Sequence, residues 1–421
     1  MTSPVIRNGA VLTRAGRVIC LGSRADVIAA ARGLGAGDAA GEEIHYEGVI
    51  TPGLVNAHTH LQYTGISSVG RGTYNGMDDW AVSFNEKYDA LAADPDFDEW
   101  GLWATEGAKM LIGSGTTAAA DVVTDEAASG SLHDSGLRGV CYFEAMNVTG
   151  DDWRDGYWDR LMAAVMEIPG PPAAGISPHA PYSVDLVPMQ EMAIRARKLG
   201  LRRHIHVGEI PIEGELVDPV RVVNEFRMGF HARDFRELRL RGDGISVIKL
   251  YDSLGVLGPD CHIAHGIYVD ADDRAVLRRN STVVALCPRS NAVIGLDEAP
   301  VRAYLEEGNP IAVGTDSLSS VRSLDLLDET EALVTIARKQ GYSGMDLYER
   351  IFRAATAGGA QAMGLSADGT GAIETGGVAD MACFDVPRVE SLSEVELYEI
   401  ITCGLPETLA TMIGGELRYR R

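Results

Sequence analysis

The chain is short of positive charge. It carries 60 acidic residues against 37 basic ones, for a net charge of −23. A polyanion such as DNA or RNA needs a basic surface, so nucleic-acid partners are excluded. Lysine occupies only five positions (Lys87, Lys109, Lys198, Lys249 and Lys339), leaving arginine as nearly all of the positive charge. Cysteine is sparse as well. The six are scattered and none forms a C-x-x-C pair, which argues against a disulfide framework or thiolate metal knot. Reduced, mostly buried thiols in a cytoplasmic protein are expected. No window offers about 18 uninterrupted apolar residues, so neither a membrane-crossing helix nor a membrane partner is expected. The first residues, MTSPVIRNGAVLTRAG, lack the apolar centre of a signal peptide. Internal repeats and low-complexity segments are missing too. What is present is an ordinary globular composition, 46% hydrophobic and 23% charged over 421 residues. That is enough for one large catalytic domain and a smaller companion.

Residues 1–48 read as short strands with tight turns (Val5–Arg7, Ala10–Leu12, Arg17–Leu21), followed by a helix over Ala25–Gly33. From residue 49 the texture changes. Eight short apolar runs alternate with segments of helical period: Val49–Asn56, Thr116–Val123, Gly139–Phe143, Ala174–Ser177, Arg203–Val207, Cys261–Ala264, Thr282–Leu286 and Pro310–Val313. Strand–helix alternation repeated eight times predicts an α/β fold, a parallel (β/α)8 TIM-type barrel. Strand-like segments at both termini, Met381–Val386 and Leu409–Ile413 among them, predict a small β-sandwich built from the two ends. The expected domains are therefore residues 1–50 and 368–421 for the sandwich and 51–367 for the barrel. Gly65–Met77 reads as a long loop after the first barrel strand.

In such a barrel the chemistry sits where strands end, so those positions matter most. The first run ends in His58-Thr59-His60, and residues two apart on a strand face the same way. The fourth ends in Ser177-Pro178-His179, the fifth in His206-Val207-Gly208-Glu209, the sixth in His265 and the eighth in Asp316. His58, His60, His206 and Asp316 make a donor set suited to one divalent cation, zinc first, with iron(II) or manganese(II) also compatible. A cation there lowers the pKa of a water toward about 7. Glu209, three residues beyond His206, is placed as the proton shuttle. Asp316 also takes the water's first proton, and His265 holds the water or the developing tetrahedral centre. His204 and His262 lie a layer deeper and are expected to pack. The fourth run, AAGISPHA, has no lysine or glutamate to bridge a second ion, so one metal is expected.

In order along the chain, PGLVNAHTHL (52–61), HVGE (206–209), AHG (264–266), LCPRSN (286–291) and GTDS (314–317) resemble the amidohydrolase superfamily. The likeness is greatest to its cytosine-, guanine- and adenosine-type deaminases and the related triazine chlorohydrolases. The resemblance implies the barrel and terminal sandwich, His58, His60, His206 and Asp316 as metal ligands, and Glu209 and His265 in acid–base roles. It implies Trp80 as an aromatic over the base, with His179 and Asn291 among the substrate contacts. LCPRSNAVIGLDEAPV and GTDSLSSVRSLDLLDE resemble 6-amino-6-deoxyfutalosine deaminases of menaquinone biosynthesis. Deaminases of 5′-methylthioadenosine or S-adenosylhomocysteine share much of the pattern. The implied reaction replaces the 6-amino group of an adenine-type nucleoside by oxygen, with release of ammonia. Adenosine or guanine deamination, a triazine-type chlorohydrolase and a cyclic amidase are the alternatives on the same site. A carboxylated substrate would need a cation, for which Arg154 is the candidate. The stretch between Glu209 and His265 is long for this group and reads as a lid over the pocket. The partner expected is a small-molecule substrate, and the assembly a homodimer.

Overall fold

The structure is a computed structural model that describes residues 5–33, 43–168, 174–214, 232–241 and 244–421. Strands β1 (Gly9–Arg14) and β2 (Arg17–Ser23) pair antiparallel around Ala15-Gly16. Both turn residues have positive φ, 50° and 78°, as a two-residue hairpin turn requires. Val5–Arg7, expected as a strand, lies outside regular structure. The helix over Arg24–Gly33 follows β2.

The run Val49–Asn56, read above as one barrel strand, is two. β3 (Val49–Pro52) belongs to the terminal sheet, and β4 (Leu54–Thr59) is the first barrel strand. The chain passes between them at Gly53, where a Cβ would sit 2.2 Å from the Thr117 side chain. Apolar residues run on across this point from Val49 to Val55, so the pattern held no sign of the change of sheet. The barrel continues through β5 (Thr116–Val123), β6 (Arg138–Ala145), β7 (Ala174–Pro178), β8 (Arg202–Val207), β9 (Cys261–His265), β10 (Val283–Leu286) and β11 (Ile311–Val313), all parallel and in sequence order. The second sheet joins β3 to β12 (Met381–Phe384), β13 (Thr408–Ile413) and β14 (Glu416–Arg420). It is antiparallel and draws strands from both sides of the barrel in sequence, while β1 and β2, expected in the same sandwich, form a separate two-stranded sheet.

The barrel closes between β4 and β11 through side-chain bonds and one backbone bond just beyond β11. Asn56 donates from Nδ2 to Thr315 Oγ1 (2.8 Å), and its Oδ1 accepts from the backbone N–H of Thr315 (3.2 Å) and of His58 (3.2 Å). The Asp316 N–H donates to the His58 carbonyl at 2.9 Å, and Thr59 Oγ1 donates to the Asp316 carbonyl at 3.0 Å. Gly314 lets the two strands approach: a Cβ there would lie 2.7 Å from that of His58.

The outer helices pack by period. In Leu326–Lys339, residues Leu326, Leu327, Thr330, Leu333, Val334 and Ala337 are buried, one stripe at 3.6-residue spacing. Asp325 caps its start by accepting from Leu327 N at 2.9 Å, and Arg338 and Lys339 occupy its last turn, where a cation suits the helix dipole. All six cysteines are free thiols, four of them buried. Among the described residues no helix is long and apolar enough to cross a membrane.

Candidate active site

Four histidines and two carboxylates converge at the carboxyl ends of the barrel strands. His60 Nε2 and His206 Nε2 lie 3.3 Å apart. Two nitrogens bound tetrahedrally to one cation, each at about 2.0–2.1 Å, would be separated by about 3.3 Å. His58 Nε2 is 3.5 Å from Asp316 Oδ1, and His60 Nε2 is 3.9 Å from the same oxygen. His206 Nδ1 contacts the His179 carbonyl at 3.0 Å, which assigns its proton to Nδ1 and leaves Nε2 bare toward the centre. His58 Nδ1 is buried without a hydrogen-bond partner, and Nε2 has Asp316 as its neighbour. Burial lowers all three imidazoles, His60 to about 3 and His206 well below its usual value, so each is neutral. Neutral, buried and convergent imidazoles beside a carboxylate fit a divalent cation, and His58, His60 and His206 form one group able to hold it.

Asp316 is held from behind. Its Oδ2 accepts from Ser290 Oγ (2.6 Å) and Ser320 Oγ (2.9 Å), leaving Oδ1 to face the histidines. Burial works to raise its pKa, but the neighbouring imidazoles, His58 first, outweigh it and hold the carboxyl well below its usual range. Asp316 (φ 61°) and His265 (φ 73°) both lie in the left-handed region, which costs a non-glycine residue about 1–3 kcal/mol. Two such residues, at the ends of β9 and β11, offer ligand-type atoms within 4.8 Å of one another.

Glu209 stands clear of the metal groups. Its Oε1 is 3.4 Å from His265 Nε2, and its Oε2 accepts from Tyr182 OH at 2.8 Å. The turn that presents it is clasped by Glu213, whose carboxylate accepts from the N–H of Gly208 (2.6 Å), Glu209 (3.0 Å) and Ile210 (3.1 Å). Burial pushes Glu213 up to about 8, against the pull of those donors.

The remaining expected residues fall in different places. His179 lines the pocket, its ring centroid 4.9 Å from that of His206. Burial lowers it to about 3, so its ring is neutral. Asn291 acts on His265: its Oδ1 lies 3.0 Å from His265 Nδ1 and aims that ring. Trp80, half-buried in the helix Met77–Ala92, stacks on Phe84 and donates Nε1–H to the Ser319 carbonyl at 2.9 Å. That anchors it three residues beyond Asp316. Arg154 is not brought to the site. It ends the helix Gly150–Arg154, pairs with Asp151 one turn away, and its side chain is 73% exposed. His204 and His262 pack below the site as expected, His204 stacked on His58 with centroids 4.7 Å apart. Of the stretch between Glu209 and His265, residues 215–231 and 242–243 lie outside the described residues; the described part includes the helices Arg233–Arg241 and Val247–Ser253. Sequence reasoning missed Tyr182, Ser290, Glu213 and a further buried acid, Glu144, at the end of β6.

A TIM-type barrel with this donor set at its carboxyl-terminal mouth defines a metal-dependent hydrolase. The chain belongs to the amidohydrolase family, which matches residues 49–418. In sequence it is 29% identical over 348 residues to a 5-methylthioadenosine/S-adenosylhomocysteine deaminase of Haloarcula marismortui, covering 81% of this chain and 73% of that one. In fold it is similar to an adenosine deaminase from Xanthomonas campestris with bound zinc (TM-score 0.76, 21% identity, 98% of this chain and 88% of that one). It is also similar to Helicobacter pylori aminofutalosine deaminase in complex with methylthio-coformycin (TM-score 0.77, 17% identity, 97% and 95%).

Proposed function

We propose that the protein is an aminohydrolase that replaces the 6-amino group of an adenine-type nucleoside by oxygen. One observation carries the reading: Glu209 is a buried carboxylate beside the metal-ligand set but outside it, aimed by Tyr182 and facing His265. An acid so placed suits carrying a proton to a ring nitrogen. The cation, held by His58, His60, His206 and Asp316, supplies Lewis acidity that makes water nucleophilic at neutral pH. Zinc is the ion proposed. His265 and Asp316 orient the water as it adds to C6, and Asp316 takes its proton. Glu209 carries the water's second proton from the oxygen to the adjacent ring nitrogen, Asp316 returns the first to the amine, the oxygen stays on C6 as the carbonyl, and the amine leaves as ammonia.

Within this class the substrate proposed is aminodeoxyfutalosine, supported by the motifs spanning 286–301 and 314–329. 5′-Methylthioadenosine and S-adenosylhomocysteine are the second reading, favoured by the name of the Haloarcula relative. Arg154 no longer supports a carboxylated substrate, since it lies in a surface pair. The test is ammonia release from a panel of aminodeoxyfutalosine, 5′-methylthioadenosine, S-adenosylhomocysteine, adenosine, guanine and cytosine. Release from the adenine nucleosides, and from aminodeoxyfutalosine fastest, is the expected outcome. Release from none of them overturns the reading; release of chloride from a chlorotriazine in its place would establish the chlorohydrolase.

A further inference from the structure

His265 faces Glu209 from a backbone conformation that an isolated histidine avoids. The Gly266 N–H donates to the Ala264 carbonyl at 3.1 Å, closing a three-residue turn with His265 at its centre. The His265 φ of 73° makes this the rare, strained form of that turn, which persists where the surroundings impose it. Gly266 continues in the left-handed region with φ 54°. The angle φ sets the direction in which a side chain leaves the backbone. A turn relaxed to negative φ would carry the imidazole away from Glu209, whose Oε1 now lies 3.4 Å from its Nε2.

The turn is held from two sides. Toward β8, the Gly266 N–H also reaches the Val207 carbonyl at 3.1 Å, and the Gly208 carbonyl accepts from Ile267 N–H (2.7 Å) and Tyr268 N–H (2.9 Å). The turns that present Glu209 and His265 are thereby stitched together. Toward the outer layer, Tyr304 OH donates to the Gly266 carbonyl at 2.8 Å. Tyr304 is fully buried on the helix Val301–Glu307. Its hydroxyl fills the place of a side chain at 266: a Cβ there would lie 2.6 Å from the Tyr304 oxygen and 2.7 Å from Val284 Cγ1. The bonds toward β8 run from backbone to backbone, whereas Tyr304 supplies its bond from a side chain. A buried carbonyl deprived of its donor is costly, and glycine lets the peptide plane rotate toward another. The strained turn would then relax with it.

We propose that Tyr304 is a positioning residue for the deamination: through the Gly266 carbonyl it holds the left-handed turn that aims His265 at Glu209 and the attacking water. This rests on the role given to His265 under the proposed function. Asn291 fixes the ring from Nδ1, and Tyr304 fixes the backbone from which the ring departs.

The test is Tyr304→Phe, which removes the hydroxyl and keeps the ring, in the metal-loaded full chain with 5′-methylthioadenosine as substrate. The kcat per bound metal ion should fall by about 10–100-fold, the scale of a catalytic group misplaced by about 1 Å, with KM nearly constant and metal content unchanged. In a His265→Ala background the same substitution should cost less than about 2-fold, because the group it positions is gone. An equal loss in both backgrounds overturns the proposal. So does a crystal structure of Tyr304→Phe in which His265 keeps its positive φ and its place beside Glu209. The structure needs no substrate, so its outcome stands even if no compound of the panel releases ammonia. A displaced ring with undiminished ammonia release keeps the positioning and overturns the role of His265 in the reaction.

Discussion

At the scale of single residues, each reactive side chain has a second group holding it. Tyr182 holds Glu209, Asn291 holds His265, and Ser290 and Ser320 hold Asp316. Glu209→Gln should lower kcat by about 10²–10⁴-fold with metal content unchanged, since Glu209 lies outside the ligand groups. Metal loss in that variant, read by elemental analysis, would remove it from the proton-shuttle role. Asp316→Ala and His206→Ala should lose metal and activity together; either one keeping a full complement counts against the ligand set. Asn291→Ala should retain metal and lose roughly 10–100-fold in activity by freeing the His265 ring. The convergence of His58, His60, His206, His265 and Asp316 was legible because they come in short motifs at the ends of apolar runs. Their supports were not. Tyr182 reaches Glu209 across 27 residues, and Ser290 reaches Asp316 across 26. Neither spacing has a pattern in one dimension. Glu144 was missed by a single position: the third apolar run was read as ending at Phe143, and the strand continues through Glu144 to Ala145.

Elements show the same division. The eight barrel runs were visible because a parallel strand covered on both faces is a continuous apolar stretch. The same continuity hid the passage from β3 to β4, where one stretch serves two sheets. Arg154 was misplaced for an elemental reason too. It follows the third barrel strand in sequence, but the short helix Gly150–Arg154 turns it outward to Asp151. The turn after β8 presents Glu209. Gly208 takes a positive φ of 68°, and Glu213 then gathers three successive N–H groups, fixing the direction of Glu209. Glu213→Ala leaves those donors unpaired and should cost about 1–3 kcal/mol of stability. Activity should fall by roughly 10²-fold, the scale expected when a catalytic group shifts by about 1 Å. Full activity in that variant would show that the turn holds its shape without the clasp.

At the scale of the whole molecule, the terminal sheet is fastened to the barrel through buried charge. Asp380, just before β12, accepts from Gly414 N–H at 2.7 Å and lies 3.1 Å from Arg138 Nε on β6. Burial raises its pKa from 3.8 to about 6 despite the arginine. The folded state therefore holds this proton more tightly than the unfolded chain. The resulting stabilisation is complete below about pH 4 and is lost as pH rises through about 6. Asp380→Asn keeps the neutral form at every pH, so its stability relative to wild type should rise between pH 4 and pH 7, by at most about 3 kcal/mol. A difference between the two thermal profiles that does not change with pH would contradict this. The seam between β4 and β11 sets a timetable for biosynthesis. Asn56 and its partner Thr315 are separated by 259 residues. At about 5–20 residues per second, the first strand waits roughly 10–50 s on the ribosome for the last. His58 and His60 emerge long before His206, and Asp316 arrives last of the four. A nascent chain thus exposes two histidines that belong to no finished site, and a metal ion captured early would meet only half of the donor set. Metal loading is therefore expected only after the seam has shut.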